Sequence, residues 1–233
     1  MAAKQPAYDR QLHFFPGAHQ IIWLPAGKAP LVAKAWGGEN ADPTIKYNVM
    51  KPRPTTPGRY IIHSYAPYRT NTWPMSRIPW GTKLTLDAKK QHLLYETGLT
   101  HRPWMRVEDK IPDANLEAIK QLYRDLYGVS SGSDVPKSWV FNDFGPWAVR
   151  YFRDRNSNRK LDKGERLSGE MIHTTPEDEA DVTLGNFVNL MPSHGCIHVD
   201  PKERDQLHMA GAFDRGIELI IHPYSETVPP DMK

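Results

Sequence analysis

Short apolar runs separated by proline- or glycine-containing turns are the feature that most constrains the fold of this chain. Residues 20–24 form such a run, residues 25–28 are typical of a turn, and residues 31–36 are typical of the returning strand. Runs of this length match strands better than helices. The 21 prolines and 16 glycines among 233 residues indicate many turns. We therefore predict a mainly β fold with few helices.

Local signals predict further elements along the chain. Thr55-Thr56-Pro57-Gly58 predicts a defined turn ahead of a strand over residues 59–65, because proline fixes φ and glycine frees it. Apolar residues at helical spacing between 116 and 126 predict a helix that ends at Gly128. Asp200 before Pro201 predicts the start of a second helix, which is expected to run to about Phe213. A closing strand is expected at residues 217–221. The acidic residues 174–181 are predicted to form a loop.

Composition limits the functional classes. The formal net charge of +3 suits an anionic polymer as partner, but it is too small to indicate nucleic-acid binding. The single cysteine rules out an internal disulfide bond. No apolar run is long enough to cross a bilayer, and the first residues lack the apolar stretch of a secretory signal, so the sequence indicates no export route.

The only cysteine lies in a stretch rich in chemistry-bearing side chains, Met191-Pro192-Ser193-His194-Gly195-Cys196-Ile197-His198-Val199-Asp200. Histidines lie two residues before and two residues after Cys196, and Ser193 and Gly195 allow a sharp bend next to the thiol. A lone cysteine most often packs as a small apolar residue. A cysteine with histidines in the same sequence is also a candidate nucleophile.

The Ser-His-Gly-Cys motif resembles the nucleophile motif of the L,D-transpeptidase catalytic domain. Two more landmarks of that family occur in the right order. Residues Thr55–Ile62 look like the family's Thr-Pro-x-Gly segment leading into a strand, and His173 resembles its histidine at the end of a strand. The resemblance implies a β-sandwich catalytic fold with a few inserted and C-terminal helices. It predicts a catalytic domain over residues 11–224, with tails at 1–10 and 225–233. A helical insertion is expected around residues 85–138, where the resemblance is weakest.

The resemblance also implies roles for individual residues. Cys196 is the nucleophile, His173 is the base that takes its proton, and Thr174 orients the His173 ring through its backbone. Ser193 and His194 shape the turn. The backbone N–H groups of Gly195 and Cys196 are expected to stabilise the oxyanion.

His198 departs from the family pattern, which usually has arginine or asparagine two residues after the cysteine. Its imidazole is expected to donate a hydrogen bond to a substrate carboxylate. No cofactor is required by this chemistry.

The activity that the resemblance implies is acyl transfer on peptidoglycan stem tetrapeptides, in the periplasm or cell wall. A Cys196 thioester would pass the acyl group to an amine, which gives cross-linking or D-amino-acid exchange, or to water, which gives an L,D-carboxypeptidase. The sequence does not choose among these outcomes, nor does it indicate an oligomeric state.

Three other interpretations stay open. The same chemistry would serve an antibacterial effector that a secretion machine delivers to a rival's periplasm. Alternatively, the chain is a wall-binding module with an inert cysteine. In the third, His173, His194, Cys196 and His198 bind zinc, although ligands at alternate positions of one strand crowd a tetrahedral ion.

A separate polar segment has the ligand spacing of an EF-hand calcium loop. Its position 6 is Arg159, where the sharp turn favours glycine, and its flanks are typical of strands. We therefore weigh a structural Ca²⁺ site against a solvated hairpin turn. The ligands would be Asp154, Asn156, Asn158, the backbone carbonyl of Lys160, Asp162 and Glu165.

Overall fold

The computed structural model describes residues 10–42, 44–46, 50–129 and 135–232. The chain forms two compact units. The first unit combines the described residues up to Ala66, the segment Ala148–His173 and the described residues from Asn189 onward. The second unit combines Pro67–Trp147 and Thr174–Val188.

Eight strands of the first unit close into a barrel in the order β1-β11-β4-β8-β9-β10-β3-β2. Two neighbouring pairs, β1 with β11 and β9 with β10, run parallel, and the other pairs run antiparallel. The mainly β prediction is confirmed, whereas the predicted β-sandwich is not. The strands are β1 Gln11–Phe15, β2 Gln20–Leu24, β3 Leu31–Trp36, β4 Gly58–Ala66, β8 Ala148–Phe152, β9 Leu167–His173, β10 Ile197–Val199 and β11 Glu218–Ile221.

Alternation along the strands fills the barrel with apolar side chains. In β10, Ile197 and Val199 are fully buried in the core, together with Ile172 from β9 and Tyr151 from β8. Because successive side chains point to opposite faces of a strand, the residues on either side of Ile197 lie on the outer face. The first unit also contains the helix α4, Pro201–Met209, which begins at the N-cap Asp200 as predicted and ends earlier than Phe213.

The segment that the sequence predicts as a C-terminal tail packs against the barrel. Pro230–Met232 forms a 3₁₀ turn. Met232 and Val228 are buried in a small apolar cluster with Phe15, Ile22 and Leu24. Residues 1–9 of the predicted N-terminal tail lie outside the described residues.

The described residues of the second unit include a three-stranded antiparallel sheet, three α-helices and a short 3₁₀ helix. The region of the predicted helical insertion lies in this unit and contains both strands and helices. The indole of fully buried Trp139 donates to the Met75 carbonyl at 2.9 Å, inside the unit's apolar core. The elements are β5 Leu84–Leu86, β6 Leu93–Glu96, β7 Trp104–Arg106, α1 Val107–Lys110, α2 Leu116–Tyr127 and α3 Pro176–Leu184.

Two helices of this unit show how local signals set helix ends. Helix α2 begins after Asn115, whose side chain accepts from the Ala118 N–H at 3.0 Å, and ends at Gly128 with φ +62°, as predicted. The loop prediction for residues 174–181 is wrong, because helix α3 lies there. Thr175 and Asp178 form a reciprocal capping box around Pro176, and this signal outweighs the polar composition.

Candidate active site

The predicted nucleophile and base lie on neighbouring parallel strands. The register pairs Ile197 with Ile172 and His198 with His173, so Cys196 comes next to Met171. Since paired residues share a face, His198 and His173 lie on the outer face of the barrel, opposite the buried Ile197, and Cys196 directly precedes β10. The rings of His173 and His198 are 4.8 Å apart between centroids, in an edge-to-face arrangement. Cys196 is thus two residues before His198, the residue that pairs with His173.

Ser193 holds the turn before the cysteine. Its hydroxyl donates to the Cys196 carbonyl at 2.5 Å and accepts from the Gly195 N–H at 3.0 Å, while its own N–H donates to the Gly37 carbonyl at 3.1 Å. Gly195 has φ +112°, a conformation that other residues rarely adopt. Because the Gly195 N–H already donates within the turn, the Cys196 N–H is the better candidate for stabilising an oxyanion.

The Thr-Pro-x-Gly region braces this turn from the other side. Thr55 is buried, and its hydroxyl accepts from the Gly38 N–H at 3.0 Å and lies 3.5 Å from the Cys196 carbonyl. The Tyr224 hydroxyl accepts from the Thr55 N–H at 3.0 Å and donates to the Gly38 carbonyl. A Cβ atom on Gly38 would lie 2.6 Å from the Gly195 nitrogen, so the two glycines let these segments pack backbone to backbone.

An arginine and a glutamate that sequence reasoning missed complete the site. The Arg53 Nε donates to the His194 carbonyl at 3.2 Å, and its Nη2 lies 3.5 Å from Glu170 Oε1. Glu170 is buried and accepts from both the N–H and the hydroxyl of Thr56, at 3.1 and 2.7 Å. Arg53 lies close before the Thr-Pro-x-Gly segment and Glu170 close before His173, so closeness to the recognised motifs was the only available signal.

The surroundings of Cys196 favour the neutral thiol. Burial raises its pKa to about 11, and the charge of Glu170 acts in the same direction. A backbone hydrogen bond from Met171 and the charges of Arg53 and Arg150 lower the pKa by smaller amounts. With a pKa of about 11, only about one molecule in ten thousand carries the thiolate at pH 7. Rapid chemistry at this sulfur therefore needs a base that takes the proton during attack.

The raised thiol pKa predicts how alkylation depends on pH. The rate of Cys196 alkylation by iodoacetamide should rise about tenfold per pH unit from pH 7 to about pH 10, because the thiolate is the reacting form. Rates are measured by intact-protein mass spectrometry, with urea-unfolded protein as the control, whose rate should level off near the ordinary thiol pKa of about 8.5. A folded-protein rate that levels off below pH 9 would contradict the raised pKa.

His198 is held as a neutral ring with a defined tautomer. Burial lowers its pKa to about 4, and its Nδ1 lies 3.0 Å from the Met191 carbonyl oxygen. Because a carbonyl only accepts, Nδ1 must carry the proton and Nε2 is then an acceptor. With Nδ1–H directed to Met191, the expected donation from His198 to a substrate carboxylate stays a prediction.

Thr174 follows the predicted base and is fully buried. Its hydroxyl donates to Glu179 Oε1 at 2.6 Å, a contact within the second unit. The role of its backbone in orienting the His173 ring stays a prediction.

The polar loop between β8 and β9 is closed by its own hydrogen bonds. Asp162 Oδ2 accepts from the side-chain amides of Asn156 and Asn158, at 2.8 and 2.5 Å, and these bonds lower the pKa of Asp162. The two Glu165 oxygens accept backbone N–H groups of Arg155 and Asp162. Asp154 accepts from the N–H groups of Asn156 and Arg159, and Lys160 donates its N–H to Asn158. Arg159, at the glycine position of the spacing, has φ +58°. Calcium binding here stays a prediction.

The described residues were searched for groups of metal ligands and for membrane-spanning helices. Within residues 10–42, 44–46, 50–129 and 135–232, no group of three or more histidine, cysteine, aspartate or glutamate side chains is arranged to hold a metal ion. No helix in these ranges is long and apolar enough to cross a membrane.

The sequence was compared with models of protein families and with curated proteins. Neither comparison found a match.

Proposed function

We propose that the barrel unit is an L,D-transpeptidase-like catalytic domain that transfers acyl groups from peptidoglycan stem tetrapeptides through Cys196. The observation that carries the proposal is that half-buried Cys196 directly precedes β10, whose parallel neighbour β9 ends at buried His173. The Ser193 turn and the Thr55 brace fix the backbone on which the thiol is carried. Because the substrate is the wall polymer, the site of action would be the periplasm or cell wall.

In the first half of the reaction, His173 takes the thiol proton as the sulfur attacks the carbonyl carbon of the third stem residue, at its L-centre. The Cys196 N–H stabilises the oxyanion that forms. When the intermediate collapses, the bond to the terminal D-alanine breaks, and the imidazolium gives its proton to the leaving amine. The acyl group remains on the sulfur as a thioester.

In the second half, an amine or a water attacks the thioester carbonyl and the thiol leaves. His173 takes the proton of the attacking group and returns a proton to the sulfur. An amine acceptor gives a cross-link or an exchanged D-amino acid, and water gives a tripeptide. The acyl group is transferred without any change in the oxidation state of its carbonyl carbon, so these steps need no redox cofactor.

A second candidate function is a wall-binding module without catalysis. The observation that favours it is the thiol pKa of about 11, since a protonated sulfur is a poor nucleophile. The two functions differ in whether a base assists the sulfur, which can be measured directly.

The proposed function predicts that the wild-type protein converts a disaccharide tetrapeptide into a tripeptide or a D-amino-acid-exchanged product. Cys196→Ala should abolish conversion, because no other side chain supplies the thioester. Products are identified by mass, with free D-methionine added to one reaction to reveal exchange. Thermal unfolding of both proteins controls for folding. Equal turnover by the variant would eliminate the proposal, and peptide binding without turnover by wild type would favour the binding module.

A further inference from the structure

The Arg53 guanidinium lies against the nucleophile turn while keeping more than half of its side chain exposed, at 56%. Its Nε donates to the His194 carbonyl, and a Cβ atom placed on Gly195 would lie 3.2 Å from that same Nε. Because Gly195 has no side chain, the guanidinium can lie directly against the residue that precedes Cys196. Buried Glu170 fixes the guanidinium from the inner side.

A positive charge at this point matters because of the substrate's chemistry. In a stem tetrapeptide, the terminal carboxylate is three covalent bonds beyond the attacked carbonyl carbon, so the two carbons are no more than about 4 Å apart. Any carboxylate in the leaving group must therefore lie close to Cys196 during attack. His198 cannot balance this charge, since its ring is neutral and presents an acceptor nitrogen.

Arginine is well suited to the task. A guanidinium has five N–H donors in a planar fork that matches the geometry of a carboxylate. The contacts to His194 and Glu170 use Nε and Nη2, which leaves donors on the exposed side of the group. The charge of Arg53 also acts on the Cys196 sulfur, where it lowers the thiol pKa.

We propose that Arg53 binds the terminal carboxylate of the D-residue that leaves, and so selects peptides with a free C-terminus. This inference rests on the proposed function, whose reaction it makes specific. It assigns the leaving-group side of the site to the segment that precedes the Thr-Pro-x-Gly turn.

The first experiment compares two small alkylating reagents and needs no turnover. Iodoacetate carries a carboxylate and iodoacetamide does not, yet both react with the same thiolate. Dividing their rates at Cys196 therefore cancels any change in the thiol pKa. In Arg53→Gln, the ratio of iodoacetate rate to iodoacetamide rate should fall about tenfold relative to wild type, and Arg53→Lys should retain most of the ratio.

The matched control is Arg59→Gln. Arg59 also pairs with a glutamate, at 2.7 Å from Glu218, but that pair lies on β4 and β11 and not at the nucleophile turn. In Arg59→Gln, the ratio of iodoacetate rate to iodoacetamide rate at Cys196 should equal that of wild type. Thermal unfolding of all variants shows that the labelled proteins are folded.

A second measurement uses substrate. In Arg53→Gln, the KM for a tetrapeptide with a free C-terminal carboxylate should rise about tenfold to a hundredfold, while the KM for its C-terminal amide should stay the same. A rate ratio that is equal in Arg53→Gln, Arg53→Lys and wild type would overturn the inference and leave the proposed function standing. Turnover by wild type tests the proposed function separately, because the labelling ratio does not depend on it.

Discussion

Replacing His173 with glutamine should slow acylation of Cys196 by a carbapenem-type β-lactam by about a hundredfold to ten-thousandfold, the usual contribution of a general base. The thiol is protonated at neutral pH because burial raises its pKa to about 11. Under the proposed mechanism, attack on a carbonyl that fits the site therefore depends on the imidazole of His173, at the end of the strand next to β10. Acylation is followed by intact-protein mass spectrometry in a rapid-quench series.

His198→Gln is the matched control, since His198 lies on the same face and contacts the His173 ring. The Nδ1–H of His198 is directed to the Met191 carbonyl, so His198→Gln should change the acylation rate by less than about tenfold. The pH profile adds a second readout. Without a base, the His173→Gln rate should rise about tenfold per pH unit to at least pH 10, whereas the wild-type profile should be flatter. Equal rates in His173→Gln and wild type would remove His173 from the mechanism.

Replacing Gly38 with alanine should destabilise the first unit by roughly 3 kcal/mol, a large effect for one methyl group. A Cβ atom there would lie 1.9 Å from the Arg53 carbonyl oxygen and 2.6 Å from the Gly195 nitrogen. Both are backbone atoms that no rotamer change can move aside. The substitution would therefore push the segments that carry Arg53 and Cys196 away from residue 38, and acylation of the thiol should fall together with stability.

Gly169→Ala is the control for this prediction. Gly169 lies in β9, next to Glu170, and a Cβ atom there meets nothing within 4 Å. The free energy of unfolding of that variant should stay within about 0.5 kcal/mol of wild type, as for most surface substitutions. Urea titrations of both variants supply the comparison. A Gly38→Ala variant as stable as Gly169→Ala would show that the two backbone segments separate easily.

Elements with strong local signals could be predicted from the sequence. The strands at residues 20–24 and 31–36 and the end of α2 at Gly128 follow from apolar spacing and from residues that favour turns and caps. Helix α3 was missed because its acidic residues obscured the capping signal of Thr175 and Asp178. Local patterns therefore predict helices and strands well where composition and capping signals agree.

Barrel closure could not be predicted in this way. It depends on parallel pairing of β1 with β11, and no local pattern links Leu12 with Leu219.

The residues of the candidate site also fall into those that the sequence indicates and those that only folding brings together. The Ser-His-Gly-Cys motif and His173 were found by resemblance, whereas Arg53 and Glu170 meet the motif only because separate segments fold onto it. Nor could spacing reveal that Gly195 donates its N–H to Ser193 or that His198 presents an acceptor nitrogen.

The position of strand β11 between β1 and β4 limits when the barrel can form during translation. A nascent chain that has not yet released residues 218–221 from the ribosome leaves both of those strands with open edges, which invite pairing with other chains. Pairing across so long a stretch of sequence also slows folding, because the ends of a large loop must first meet. The barrel thus cannot close before β11, the last of its strands in chain order, has been translated.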